Sequence, residues 1–129
     1  MKAILRSGFL ALAIMALAVP AFAVPANAGP FEDGEAAFDR GDYATALQLW
    51  RQLAELGHAR AKFNLGIMFA FGEGVPQDFV RAYLWFNIAA AQGDKTAQKG
   101  RDLIVSQMTP DQIAEAQRMA REWIAKHQQ

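Results

Sequence analysis

One pattern in the chain returns after 36 residues. Asp42-Tyr43-x-x-Ala46-x-x-Leu49-Trp50-x-x-x-Ala54-x-x-Gly57-x-x-x-Ala61 comes back as Asp78-Phe79-x-x-Ala82-x-x-Trp85-Phe86-x-x-x-Ala90-x-x-Gly93-x-x-x-Ala97. Five positions are identical and three more keep a bulky apolar side chain. The large residues recur at spacings of three and four, which is the period of one helix face. A repeat of this length is one helical hairpin. A lone hairpin cannot bury its apolar face, so successive copies must stack. The recurrence predicts an all-α fold of stacked hairpins, an architecture better suited to holding a partner than to transforming a substrate.

Six helices in three hairpins are expected. Residues 30–40 open on Glu32, Asp33 and Glu35, acidic side chains that a helix N-terminus favours. Asp42 is placed to cap a helix over residues 43–56, and Gly57 follows its last periodic residue as a terminating glycine. Residues 59–71 carry two apolar faces, Ala61, Leu65, Met68 and Phe69 on one and Phe63, Ile67 and Phe71 on the other. Such a helix lies between neighbours. Gly66 would cost a free helix about 1 kcal/mol against alanine, so another helix is expected to approach closely there. Asp78 caps residues 79–92, whose contact stripe is Ala82, Phe86 and Ala90, and residues 95–107 form a fifth helix with Ala97, Leu103 and Ile104 apolar. Thr109-Pro110-Asp111-Gln112 is a capping box with proline at the first helical position, and Met108 and Ile113 are placed for a hydrophobic staple. The helix it opens is apolar on one side only, as a terminal cap needs.

Residues 1–28 are of another kind. Lys2 and Arg6 give a basic start, and residues 9–19 are an unbroken apolar run of 11. That is the length of a signal-peptide core and too short to span a bilayer. Small-residue cleavage sites end at Ala23 and Ala28, the second favoured, while Pro20, Pro25 and Asn27 weigh against an uncleaved anchor. The expected organisation is a signal peptide over 1–28 and one helical repeat domain over 29–129. Loss of Lys2 and Arg6 takes the 13 basic residues to 11 against 13 acidic ones, a net charge near −2. That charge gives no drive toward nucleic acid or anionic membrane. The chain has no cysteine, so neither a disulfide nor a lipoprotein anchor is available and packing alone must hold the domain.

The middle of the chain resembles a Sel-one-like repeat, a relative of the tetratricopeptide repeat. The residues that carry the resemblance are Ala61-x-x-x-Leu65-Gly66-x-x-Phe69-x-x-Gly72-x-Gly74-Val75-x-x-Asp78-Phe79-x-x-Ala82-x-x-Trp85-Phe86-x-x-Ala89-Ala90-x-x-Gly93. The segment Gly34-x-x-x-Phe38-x-x-Gly41-Asp42-Tyr43-x-x-Ala46 is more like a tetratricopeptide unit with its shorter turn. The third unit departs after Ala97, with Arg101 and Asp102 where Leu65 and Gly66 would recur, which suits a capping unit. The resemblance implies a short right-handed solenoid of about three antiparallel hairpins with a C-terminal capping helix. It also implies an adaptor that holds peptide or protein partners on its inner surface, and many bacterial members are exported. Some exported relatives are cysteine-rich and linked to β-lactam binding or hydrolysis, but their paired cysteines are absent here.

Catalytic chemistry finds little footing. The mature part has one serine, Ser106, no cysteine, and two histidines. His58 is expected as an exposed histidine in a loop or near a helix C-terminus, and His127 in a fraying tail. A nucleophile needs a base within reach and a third group to orient it, and no such set is evident. No metal-ligand spacing occurs, and Gly72-Glu73-Gly74 lacks the lysine and hydroxyl of a phosphate loop. Neither catalytic residues, cofactor nor metal is expected. Tyr43, Trp50, Phe69, Phe79, Trp85 and Phe86 fall on repeat positions and are expected in the core.

If the first helix of each pair lines the inner face, Arg60, Phe63, Ile67 and Phe71 point there, with Thr96, Lys99 and Leu103 as the equivalents in the next unit. The expected site is a small apolar groove edged by Arg60 and Lys99, suited to apolar side chains with acidic groups nearby. The competing expectation is that the N-terminal helix and the C-terminal cap close over this face, and with so few hairpins it carries at least equal weight. The sequence thus reads as an exported, periplasmic or secreted, non-enzymatic protein-interaction module, with no nucleic-acid partner and no membrane contact after signal cleavage. A cell-envelope enzyme or β-lactam-binding protein, and a self-associating structural module, are the alternatives.

Overall fold

The computed structural model describes residues 29–128, so the signal peptide expected over 1–28 lies outside the described residues. Six helices follow in order: α1 (Pro30–Asp39), α2 (Tyr43–Glu55), α3 (Ala59–Phe71), α4 (Phe79–Ala91), α5 (Lys95–Ile104) and α6 (Pro110–His127). Among the described residues there is no strand, and no helix is long and apolar enough to cross a membrane. The all-α expectation holds.

Each helix from α2 onward starts on a side chain that accepts from the backbone three residues later. Asp42 takes the amide of Thr45, Asp78 that of Arg81, and Asp94 that of Ala97. At α6 the capping box closes in both directions, Gln112 N to Thr109 Oγ1 at 3.2 Å and Thr109 N to Gln112 Oε1 at 2.9 Å. α3 departs from expectation. His58 is its N-cap, and Nδ1 accepts from the amide of Ala61 at 3.1 Å while the ring stacks on Phe31 at 4.8 Å. The expected loop or C-terminal histidine is therefore a helix start, because a ring nitrogen can do what a carboxylate does at the other caps. Gly57 and Gly93, equivalent in the two copies, end α2 and α4 with φ of +94° and +96°, a conformation that other residues adopt only under strain.

Consecutive helices pack in pairs, α1 on α2, α2 on α3, α3 on α4 and α4 on α5, while α6 lies against α4. The core begins with Ala37, Ala46, Trp50, Ala54, Ala61, Leu65 and Met68. It continues through Phe69, Ala82 and Phe86, and is closed by Leu84, Ile88 and Ala120 with Trp123 and Ile124 of α6.

Helix backbones approach closely where a glycine faces an aromatic ring. A methyl group added at Gly66 would lie 2.5 Å from Cδ1 and Cε1 of Phe86, so the expected close approach is met. The same device recurs at Gly34, where an added methyl would lie 2.3 Å from Nε1 of Trp50, the residue equivalent to Phe86. The capping unit uses it more loosely. Gly100 of α5 meets the far edge of Phe86, where a methyl would sit 3.2 Å away.

The fifth helix is shorter than expected. α5 ends at Ile104 and tightens into a 3-10 turn, Val105–Gln107. It buries only Ala97, and Leu103 is 74% exposed, so little packing holds its last turn in α geometry. Ser106 Oγ donates to the freed carbonyl of Leu103 at 3.1 Å.

Candidate partner-binding face

The inner-face residues named from the sequence all lie on α3 and α5, in graded exposure. Phe63 is half-buried, its ring 5.6 Å from that of Phe86, and the Arg60 guanidinium lies 5.6 Å over the Phe63 ring. Ile67 is half-buried and lines a cavity of about 310 Å³ with Asn64, with Glu35, Phe38 and Asp39 of α1, and with Trp50. Phe71 is 68% exposed, and Lys99 is exposed on α5. α6 turns to α4 and leaves Phe71 and Leu103 open, while α1 stands at the edge of the face beside Ile67.

The charge pattern is richer than the expected pair of cations. Glu35 and Asp39, four apart and thus one turn apart on α1, are exposed at the Ile67 cavity and make no ion pair among the described residues. Arg60 and Lys99 likewise make none. The face therefore carries acidic groups where α1 meets α3 and basic groups on α3 and α5, with apolar side chains in between. Sequence reasoning missed the acidic rim, since it assigned Glu35 to a solvated first turn. The i, i+4 spacing of Glu35 and Asp39 was the available signal.

A second cavity, of about 360 Å³, lies between the C-terminal ends of α2, α4 and α6 and the start of α3. Lys62 is buried here, 3% exposed. Its ammonium donates to Gln92 Oε1 at 2.6 Å and lies 4.5 Å over the Trp123 ring, while Gln92 Nε2 donates to the carbonyl of Gly57 at 2.9 Å. Burial pushes the Lys62 ammonium below the usual lysine range, with Glu55 opposing. His127 stacks on Trp123 at 3.6 Å and bonds both Glu55 and the Trp123 carbonyl. Those bonds, that to Glu55 foremost, raise the ring above the ordinary histidine range. His127 thus closes the final turn of α6, where a fraying tail was expected. No lone-lysine signal marks Lys62 as buried, and its pairing depends on helices far off in sequence.

Nothing in either cavity sets a nucleophile against a base, and among the described residues no three His, Asp or Glu side chains group to hold a metal. The first site leaves apolar and charged side chains exposed, whereas in the second the polar groups bond one another around the cavity.

The Sel1 repeat family matches residues 29–58 and 59–94, just over half the chain. An uncharacterized protein of Neisseria meningitidis serogroup B is 53% identical over 34 residues, which is 26% of this chain and 7% of that protein. Proteins named exopolysaccharide production negative regulator are 35% identical in Rhizobium leguminosarum bv. viciae and 32% identical in Rhizobium meliloti, each over 49% of this chain and 24% of the relative. The crystal structure of a protective antigen of uropathogenic Escherichia coli, displaying an SLR fold, superposes with a TM-score of 0.69 at 26% identity, covering 76% of this chain and 22% of that one. The chain therefore spans at most about a quarter of these relatives' length. Stacked hairpins, glycines under aromatic rings and the two matched repeats converge on one assignment: the chain belongs to the Sel1 repeat family.

Proposed function

We propose that this protein is an exported, non-catalytic interaction module that holds a peptide-like segment of a protein partner on the face formed by α1, α3 and α5. The observation that carries this is the Ile67 cavity: half-buried Phe38 and Ile67 and, among the described residues, an Asn64 amide with no hydrogen bond and the carboxylates of Glu35 and Asp39 in no ion pair. A packed core would cover such apolar groups, and a purely solvated surface would not concentrate them beside a cavity. A partner segment with an apolar side chain for the cavity, a basic group toward α1 and an acidic group toward Arg60 and Lys99 matches the face. Two relatives are named as regulators, which supports an adaptor that acts through other proteins.

The test is crosslinked capture from the cell envelope, comparing the native chain with Ile67→Ala and with Glu35→Gln/Asp39→Asn. Both variants should keep a thermal midpoint within a few degrees of native, because the substituted groups are half-buried or exposed, and both should lose the captured partner. Capture undiminished in both variants would sink the proposal. Export is checked separately, by an intact mass that places the N-terminus after Ala28.

A further inference from the structure

The last turn of α6 holds a histidine whose two ring nitrogens both face acceptors. Nδ1 lies 2.7 Å from the carbonyl oxygen of Trp123, one turn back, and Nε2 is hydrogen bonded to Oε2 of Glu55 on α2. A carbonyl oxygen and a carboxylate have no proton to give. Neutral imidazole carries a single N–H, so it can make one of these bonds and must point a lone pair at the other oxygen. Only the imidazolium makes both. Stacking on Trp123 at 3.6 Å and 11° favours this orientation while both bonds are made, and a ring with a single proton must give one of them up.

The bond to Glu55 joins residues 72 apart in sequence and ties the final helix to the first hairpin. The remaining hold on this end of α6 is packing that does not titrate: Trp123 and Ile124 pack against Leu84 and Ile88, and Trp123 meets Trp85 edge-on at 5.7 Å. The Lys62 ammonium also lies over Trp123. Further back, Ala116 and Ala120 are fully buried, which anchors the rest of the helix whatever the last turn does.

We propose that the C-terminal turn of α6 is a proton-operated latch: charged His127 fastens the terminal helix to Glu55 of the first hairpin, and the neutral ring releases it and uncovers Lys62. The titratable groups lining this cavity are Glu55 from α2, Lys62 from α3 and His127 itself; α4 contributes Ile88, Ala91 and Gln92, none of which titrates. On α6, Lys126 adjoins the latch, and Glu122 is already held by Arg118 at 2.7 Å. Glu55 favours the imidazolium and the Lys62 ammonium opposes it. Because the folded ring is raised above its ordinary value of 6.5, the latch is complete below that value and opens as pH rises through the raised one.

The test follows the His127 ring by NMR in the full chain from about pH 5.5 to about pH 9, with amide exchange of residues 123–127 corrected for the intrinsic effect of pH. The proposal expects a midpoint above 6.5 that falls in Glu55→Gln. It also expects several-fold loss of protection at 123–127 through that midpoint, and protection that is low and flat in His127→Gln. A midpoint unmoved by Glu55→Gln overturns the proposal, as does protection that ignores the ring's titration. If Glu55→Gln does not fold, the contrast between native chain and His127→Gln decides the matter alone.

Discussion

Replacing Gly66 with alanine tests the packing from which the whole stack follows. The added methyl would lie 2.5 Å from Cδ1 and Cε1 of Phe86 and 3.1 Å from Cζ, against an ordinary contact of 3.4–4 Å. The ring would have to withdraw by about 1 Å to restore normal contact. It has nowhere to go, since Phe86 is 1% exposed and its other edge already meets α5 at Gly100. Overpacking of this kind costs about 1–3 kcal/mol, and two atoms at 2.5 Å place this site at the upper end. Alanine returns about 1 kcal/mol through its better helix propensity. The expected net loss is about 2 kcal/mol, or roughly 10 °C in the thermal midpoint of a domain this size. Gly100→Ala, with its looser 3.2 Å contact and the same propensity gain, should be close to neutral. Thermal unfolding followed by circular dichroism reads both. A Gly66→Ala protein as stable as native, or more so, would refute the reasoning, because it would mean that the ring does not press on the α3 backbone. Phe86→Leu should cost less in the Gly66→Ala background than alone, since one change makes room for the other.

Trp50→Ala should cost about 3–5 kcal/mol in urea unfolding, since it empties the space over Gly34 and leaves the Phe31 carbonyl without the indole N–H that now donates to it at 3.4 Å; a loss below about 1 kcal/mol would contradict the core described above. The Asp42 carboxyl is held below its ordinary 3.8, first by its hydrogen bonds to Thr45. Its ionised form therefore stabilises the fold fully above 3.8, and that contribution disappears as pH falls through the depressed value. The midpoint difference between native and Asp42→Asn should stay constant above that range and close below it.

The helices were legible because their signals are local. Asp42, Asp78 and Thr109 cap helices through bonds that span three residues, so sequence distance and spatial distance coincide. Gly66 could be read too, because a glycine inside an apolar helix needs a neighbour to explain it. His58 was misplaced because its capping nitrogen is not on the usual short list of caps, although its position three residues before the Ala61 amide matched the other starts. Within the candidate face, Arg60, Phe63, Ile67, Phe71 and Lys99 were found by counting along α3 and its repeat. Glu35 and Asp39 were not, since only the packing of α1 beside α3 brings them to Ile67.

The sequence by itself determined an all-α chain of repeated hairpins, where the helices begin and end to within a residue save at the end of α5, and which face of each is apolar. Those properties depend on periods of three and four and on turns a few residues long. Tertiary structure alone decided that a lysine is buried, that Gly34 and Gly100 share the role of Gly66, and that α6 packs on α4 and ties His127 to Glu55. Each of these joins groups on different helices, up to 72 residues apart. Side chains so distant acquire their environment only when the stack fixes which helix stands opposite which.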